Sequence, residues 1–195
     1  MSRLPAIAAC LVGASIAVLA QQNPGGPTAA DLLAGLSHAE RWVTYSGDYT
    51  GQRHSPLKQI TPANAAQLTP VWTFQTGGVQ GQFEATPIVL NGVLYYTGPQ
   101  NHAWAIDAKT GQLLWEYRRK LPDDLGKFMP VFVINRNLAI YGSTVIDTSA
   151  DDFLYALNVD TGELAWQTQI LDYKKGAQQT SGPIIANGKI ISGRG

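Results

Sequence analysis

The sequence predicts an all-β chain assembled from repeated four-stranded sheets, the blades of a β-propeller, and three observations carry that expectation. The first is a self-match. Ala105-Ile106-Asp107-Ala108-Lys109-Thr110-Gly111-Gln112-Leu113-Leu114-Trp115 recurs 51 residues later as Ala156-Leu157-Asn158-Val159-Asp160-Thr161-Gly162-Glu163-Leu164-Ala165-Trp166. The second is a longer echo. Pro87-Ile88-Val89-Leu90-Asn91-Gly92-Val93-Leu94 returns 96 residues on as Pro183-Ile184-Ile185-Ala186-Asn187-Gly188-Lys189-Ile190, and Tyr141-Gly142-Ser143-Thr144-Val145-Ile146 supplies an intermediate copy. Regular periods of about 40–50 residues, each with several short strands, mark a propeller or an array. The third is composition: Gly 20, Pro 11 and 9% aromatics in 195 residues describe a turn-rich β protein rather than a helical bundle.

Composition also excludes several function classes. Apolar residues make up 45% of the chain and charged ones 14%, which is incompatible with a disordered segment. The formal net charge is zero, so no basic field for a nucleic-acid partner is expected. A single cysteine forms no internal disulfide, and no CxxC motif for zinc or redox chemistry is present.

Taken in order, residues 1–20 read as a secretory signal peptide. Arg3 precedes an apolar run from 6 to 20 broken only by Ser15, and Val18 and Ala20 set small residues before Gln21. The run falls short of the ~20 residues of a membrane span, and Ile7-Ala8-Ala9-Cys10 mimics a lipoprotein cleavage box after too short a leader. A periplasmic location is therefore expected, with membrane association as an open alternative. Residues 21–41 read as a Pro/Gly linker followed by a short helix, with Thr28 as N-cap, Asp31 in the first turn, and Leu32, Leu33 and Leu36 on it. Residues 42–195 read as short strands and turns.

Each repeat has a physical reading. Asn91-Gly92 and Asn187-Gly188 accept the positive φ at both corners of a type I′ hairpin. In the Asp/Asn-x-x-Thr-Gly stretch a short polar side chain caps a turn, and the glycine takes the left-handed position. The tryptophan that follows is wide enough to cover the joint between neighbouring blades. One blade cannot bury both faces of its sheet, so stacking is obligatory. Trp72, Trp115, Trp166, Gly111 and Gly162 are accordingly architectural.

The motif Ala-x-Asp-x-x-Thr-Gly-x-x-x-Trp resembles the tryptophan docking motif of the quinoprotein dehydrogenases. Trp42-Val43-Thr44-Tyr45-Ser46-Gly47-Asp48, then Arg53-His54-Ser55-Pro56-Leu57, is similar to that family's entry segment. Thr61-Pro62-Ala63-Asn64 with Leu68 and Val71-Trp72 is similar to its approach to the first blade. The resemblance implies an eight-bladed propeller that holds pyrroloquinoline quinone (PQQ) near its axis and oxidises alcohols or sugars. About two to three blades fit into residues 42–195, so the chain is expected to be the N-terminal fragment of a longer oxidoreductase.

PQQ is a planar tricarboxylate with an ortho-quinone, so its site needs cationic and hydrogen-bonding partners. The resemblance implies three cofactor-binding residues. Glu84 precedes Ala85-Thr86-Pro87, Arg136 lies in Asn135-Arg136-Asn137 ahead of Ala139-Ile140-Tyr141-Gly142, and Thr180 precedes Ser181-Gly182-Pro183. It also implies calcium, or a lanthanide in its place, held by later residues, and a still later aspartate as base; no catalytic or metal residue is expected within residues 1–195. Two positions depart from the family. Pro130-Val131 stand where many members have adjacent cysteines, and Asn137 replaces a glycine, which is tolerable because asparagine accepts left-handed geometry.

Other combinations carry less. His54-Ser55 has no third partner for a triad, His38 and His102 lack metal-ligand spacing, and Lys174-Lys175 is a charged loop. Asp123-Asp124 and Asp151-Asp152 are expected to face water between strands. No nucleotide-binding glycine motif occurs. The expected function is a PQQ-dependent dehydrogenase acting on a small alcohol or sugar, passing electrons to a cytochrome c or a membrane quinone. The alternative is a non-enzymatic propeller of the same repeats acting as a protein-interaction scaffold.

Overall fold

In the computed structural model, which describes residues 26–129, 134–177 and 179–193, every blade opens with two short strands folded back on a glycine corner. β1 (Ile88–Leu90) turns into β2 (Val93–Gly98) through Asn91 and Gly92, whose φ values of 52° and 77° are those a type I′ hairpin needs. β3 (His102–Asp107) and β4 (Leu113–Arg118) complete an antiparallel sheet in the order β1-β2-β3-β4. β5 (Ala139–Tyr141), β6 (Thr144–Thr148), β7 (Phe153–Asn158) and β8 (Leu164–Gln169) form a second sheet in the same order. Each of these starts 51 residues after its counterpart. β9 (Ile184–Ala186) and β10 (Lys189–Ile191) pair as the opening hairpin of a third, turning on Asn187 and Gly188 at φ 47° and 70°, and β9 begins 96 residues after β1. The two sequence offsets are thus the steps to the next blade and to the one after. Even the irregularity repeats, because the register shifts between Ala105 and Ile106 in one sheet and between Ala156 and Leu157 in the other.

The joint between blades is built as the repeat predicts. Asp107 Oδ1 accepts from the amides of Lys109 and Thr110 at 3.0 and 2.7 Å, and Asn158 Oδ1 from those of Asp160 and Thr161 at 2.8 and 3.1 Å. Gly111 and Gly162 follow with φ of 74° and 72°. The preceding indole lies flat over each glycine: an added Cβ would stand 2.7 Å from a ring carbon of Trp72 or Trp115. The indole N–H then reaches over the turn, Trp72 to the Ala108 carbonyl at 3.1 Å and Trp115 to the Val159 carbonyl at 2.9 Å. One apolar core runs across both sheets, with Ile88, Tyr95 and Trp115 meeting Ile140, Val145 and Tyr155.

The segment before β1 departs from expectation. Between Trp42 and Ile88 the described backbone forms no strand, only a 3-10 turn at Ala65–Gln67 and the bridges of Trp42 with Val89 and Phe83 with Asn135, and Val71-Trp72-Thr73-Phe74 is irregular. A strand persists through its ladder partner, and no described strand lies beside 71–74. Docking of Trp72 fixes this segment instead. Ahead of it, α1 (Ala29–Ala34) carries a full capping box in which Thr28 and Asp31 satisfy each other's amides at 2.9 and 3.2 Å. Of its leucines only Leu32 enters the core, while Leu33 faces outward. Among the described residues no helix is long and apolar enough to cross a membrane. The expected leader and Pro130-Val131 lie outside the described residues.

Candidate functional site

The three residues singled out in the sequence occupy the lead-ins to the first strands of three successive blades: Glu84 before β1, Arg136 before β5 and Thr180 before β9. These lead-ins are stitched together by the backbone. Residues 83 and 135 form a parallel bridge, and the Thr86 amide donates to the Arg136 carbonyl at 3.2 Å. The Thr180 lead-in presses in from the other side, where a Cβ on Gly182 would fall 1.7 Å from the Asn137 carbonyl oxygen, so only glycine fits.

The side chains converge accordingly. Arg136 Nε stands 3.0 Å from Glu84 Oε2, and an Nη1 N–H of the same guanidinium donates to the Thr180 hydroxyl. The Glu84 and Arg136 side chains are 37% and 42% exposed, so the cluster is reachable from solvent. It offers a planar cationic fork, a hydroxyl and a carboxylate acceptor side by side. Such a set suits a flat ligand that carries carboxylates, carbonyl oxygens and an N–H.

Asn137 behaves differently from expectation. It is not one of the described residues with positive φ; its side-chain oxygen accepts from the Gly182 amide at 3.2 Å. The asparagine is kept by a cross-lead-in hydrogen bond rather than by left-handed backbone.

Behind the cluster lies a buried network that sequence reasoning passed over. Asp147 on β6, only 1% exposed, accepts on Oδ2 from Thr97 Oγ1 at 2.9 Å, Asn135 Nδ2 at 2.8 Å and the Tyr155 hydroxyl at 3.1 Å. Its Oδ1 accepts from the Thr148 amide at 2.7 Å. Burial pushes its carboxyl up to about 7, with these hydrogen bonds working the other way. The available signal was Asp147 itself, an acid directly after the apolar Val145-Ile146 of a predicted strand.

The other acidic pairs divide. Asp151 and Asp152 do not face water: both are buried, and Asp151 forms a bidentate pair with Arg119 at 2.8 and 2.9 Å, with that guanidinium lying over the Phe153 and Tyr155 rings. The apolar ring stack shields a charge pair that the local sequence gave no reason to bury. Asp123 is exposed, and Asp124 accepts from the Tyr173 hydroxyl at 2.7 Å with Lys174 nearby at 3.4 Å. His102 packs edge-on against Trp104, and burial pushes its imidazole below the usual range. Among the described residues no group of three or more His, Cys, Asp or Glu gathers as a metal site.

A tryptophan-docked stack of four-stranded blades with a polar cluster at the lead-ins to its first strands defines the class as a β-propeller. Residues 42–141 match the family model for the PQQ β-propeller domain of glucose, ethanol and alcohol dehydrogenases, and the chain belongs to that family. It is 39% identical to a quinoprotein alcohol dehydrogenase of Pseudomonas putida over 83% of its length and 29% of the relative's. It is 41% identical to a 1-butanol dehydrogenase (quinone) of Thauera butanivorans over 73% of its length and 23% of the relative's. A solved europium-containing methanol dehydrogenase superposes with a TM-score of 0.78 at 27% identity, over 85% of this chain and 29% of that one. The chain therefore spans less than a third of the length of these proteins.

Proposed function

We propose that this chain is the N-terminal part of an exported PQQ-dependent dehydrogenase that oxidises the hydroxyl of a small alcohol. The observation that carries the reading is the convergence of Glu84, Arg136 and Thr180 from three blades onto one solvent-accessible cluster. A scaffold propeller has no need to bring a guanidinium, a carboxylate and a hydroxyl together at this place. The names of the relatives support the substrate class, since those compared are alcohol dehydrogenases.

The donor set fits PQQ. Arg136 would bind its anionic oxygens through a charge-assisted fork, Thr180 would donate to a carboxylate, and Glu84 would accept an N–H while holding the guanidinium in place. The chemistry PQQ would supply there is that of an acceptor for the hydride lost from the carbinol carbon. The guanidinium is positioned before ligand arrives, so little reorganisation accompanies binding. Calcium or a lanthanide, a base for the hydroxyl proton, and the surface that passes electrons to a cytochrome c or a quinone belong in this reading to the rest of the protein. Residues 1–20 would direct it to the periplasm.

Titrating PQQ into the full-length apoprotein tests the assignment. Wild type should bind saturably, and Arg136→Ala should weaken binding roughly ten- to hundredfold, the scale of about 1.5–3 kcal/mol for a hydrogen bond to a charged group. Unchanged affinity in that variant removes Arg136 from the site, and absence of binding by wild type leaves the scaffold reading.

A further inference from the structure

We propose that Asp147 and Thr148, neighbours on β6, are positioning residues that together set the spacing of the Arg136 and Thr180 lead-ins. The proposal rests on the PQQ reading of that cluster and deepens it. Neither residue belongs to the cluster, yet the pair reaches both of its halves. Asp147 Oδ2 holds the Asn135 amide at 2.8 Å, and Asn135 directly precedes Arg136. Thr148 Oγ1 donates to the Ser181 carbonyl at 2.7 Å, and Ser181 directly follows Thr180. The two residues are locked to each other, because the Thr148 amide donates to Asp147 Oδ1 at 2.7 Å.

Three physical points favour positioning over a merely stabilising role. Among the described residues the backbone contacts at the lead-ins, the 83–135 bridge and Thr86 to Arg136, join only the first two, whereas the Arg136 and Thr180 lead-ins are joined through side chains, Asn137 to the Gly182 amide among them. A buried carboxyl is a poor device for stability, since apolar replacement of buried charge is often neutral or better, but one whose two oxygens are both hydrogen-bonded to neighbouring segments specifies their geometry. Both Asp147 oxygens face donors: Thr97, Asn135 and Tyr155 on one side and the Thr148 amide on the other. An asparagine that kept its oxygen on the Thr148 amide would turn its NH2 toward the Asn135 NH2, which cannot accept, so the hold on Asn135 would be lost.

The test is PQQ titration of the full-length apoprotein, read by quenching of tryptophan fluorescence, with melting temperature measured on the same samples. Thr148→Val removes the hydroxyl at nearly constant shape, and Thr148→Ser keeps it. We expect Thr148→Val to raise the dissociation constant roughly tenfold, about 1.4 kcal/mol, and Thr148→Ser to stay within about twofold of wild type on the same scale. Trp115→Phe, which loses the blade-joint hydrogen bond, should lower the melting temperature and leave PQQ affinity unchanged. Asp147→Asn should weaken PQQ at least as much as Thr148→Val; if it fails to fold, the Thr148 pair still decides. The proposal is overturned if Thr148→Val binds as wild type does, if Thr148→Ser is as weak as Thr148→Val, or if Trp115→Phe weakens binding equally. Wild type that does not bind PQQ overturns the cofactor reading, and this one with it; wild type that binds beside an unaffected Thr148→Val overturns positioning alone.

Discussion

Alanine at Gly162 probes the blade joint through two separable costs. Gly162 sits at φ 72°, where an L-residue costs about 1–2 kcal/mol. Its new Cβ would also stand 2.7 Å from the Cδ2 and Cε3 carbons of Trp115. Carbon contacts settle near 3.5–4.0 Å, so the indole must retreat by roughly 1 Å. Such overpacking costs about 1–3 kcal/mol, and the retreat stretches the 2.9 Å bond from Trp115 Nε1 to the Val159 carbonyl. Gly92 is the matched control: its φ is 77°, but a Cβ there meets nothing within 4 Å. Gly92→Ala should therefore show only the backbone cost, and Gly162→Ala should exceed it by about 1–3 kcal/mol. Urea denaturation followed by tryptophan fluorescence measures both, provided the m-values agree. Equal losses in the two variants would refute the idea that indole contact makes this glycine obligatory.

Three further outcomes are expected. Burial pushes the Asp147 carboxyl up to about 7 in the folded state, above its ordinary 3.8, so the folded protein keeps a proton that the unfolded one gives up. Its contribution is then fully present below about pH 4 and is lost as pH rises toward 7. His102, held below its usual value, works in the opposite sense over the upper part of that window. Asp147→Asn should accordingly flatten or reverse the fall in urea midpoint between about pH 4.5 and 7.5, and identical slopes in the two proteins would sink the assignment. Asp151→Ala leaves the Arg119 guanidinium, 8% exposed, without its carboxylate and should cost about 3–5 kcal/mol by thermal denaturation; a loss below about 1 kcal/mol would show that the pair is not effectively buried. Thr28→Ala breaks the capping box and should cost about 1 kcal/mol of local stability, read as faster amide exchange in α1 with β1–β8 unaffected.

Much of the fold was legible because a propeller repeats its instructions. Asn91-Gly92, Asp107 through Gly111 and Trp115 each have a second copy, and a coincidence of turn chemistry at two places is far less ambiguous than one short apolar run. Illegible parts depend on partners distant in sequence. Nothing around Val71-Trp72 tells whether a neighbouring strand is available, and nothing around Asp151 tells that Arg119 and two aromatic rings will enclose it. The site shows the same division. Glu84, Arg136 and Thr180 were legible through a resemblance, and their mutual contacts are a product of blade stacking. Asp147 was missed because its burial depends on Thr97, 50 residues away in the neighbouring blade, and on the side chain of Asn135 in a lead-in, while its own hairpin reads as ordinary strand.

The blades differ from one another at the lead-ins to their first strands. Glu84 and Thr180 stand 96 residues apart, the same step that separates β1 from β9, so they are one position in two blades. In the blade between, that register position falls on Asn135, 51 residues after Glu84, and the cation is its neighbour Arg136. Successive side chains of an extended segment point to opposite faces. One residue therefore turns inward to Asp147 and the next turns outward, and their exposures of 2% and 42% follow that alternation. Positions where the copies agree, such as Gly111 with Gly162 and Trp72 with Trp115, make the joints. The lead-in position differs between the copies, holding Glu84, Asn135 with Arg136, and Thr180, because a lead-in is held by a few cross-contacts rather than by a ladder. On the PQQ reading that difference would let repeated wedges present different groups to one ligand, with the proposed Asp147–Thr148 pair holding two of the lead-ins in place.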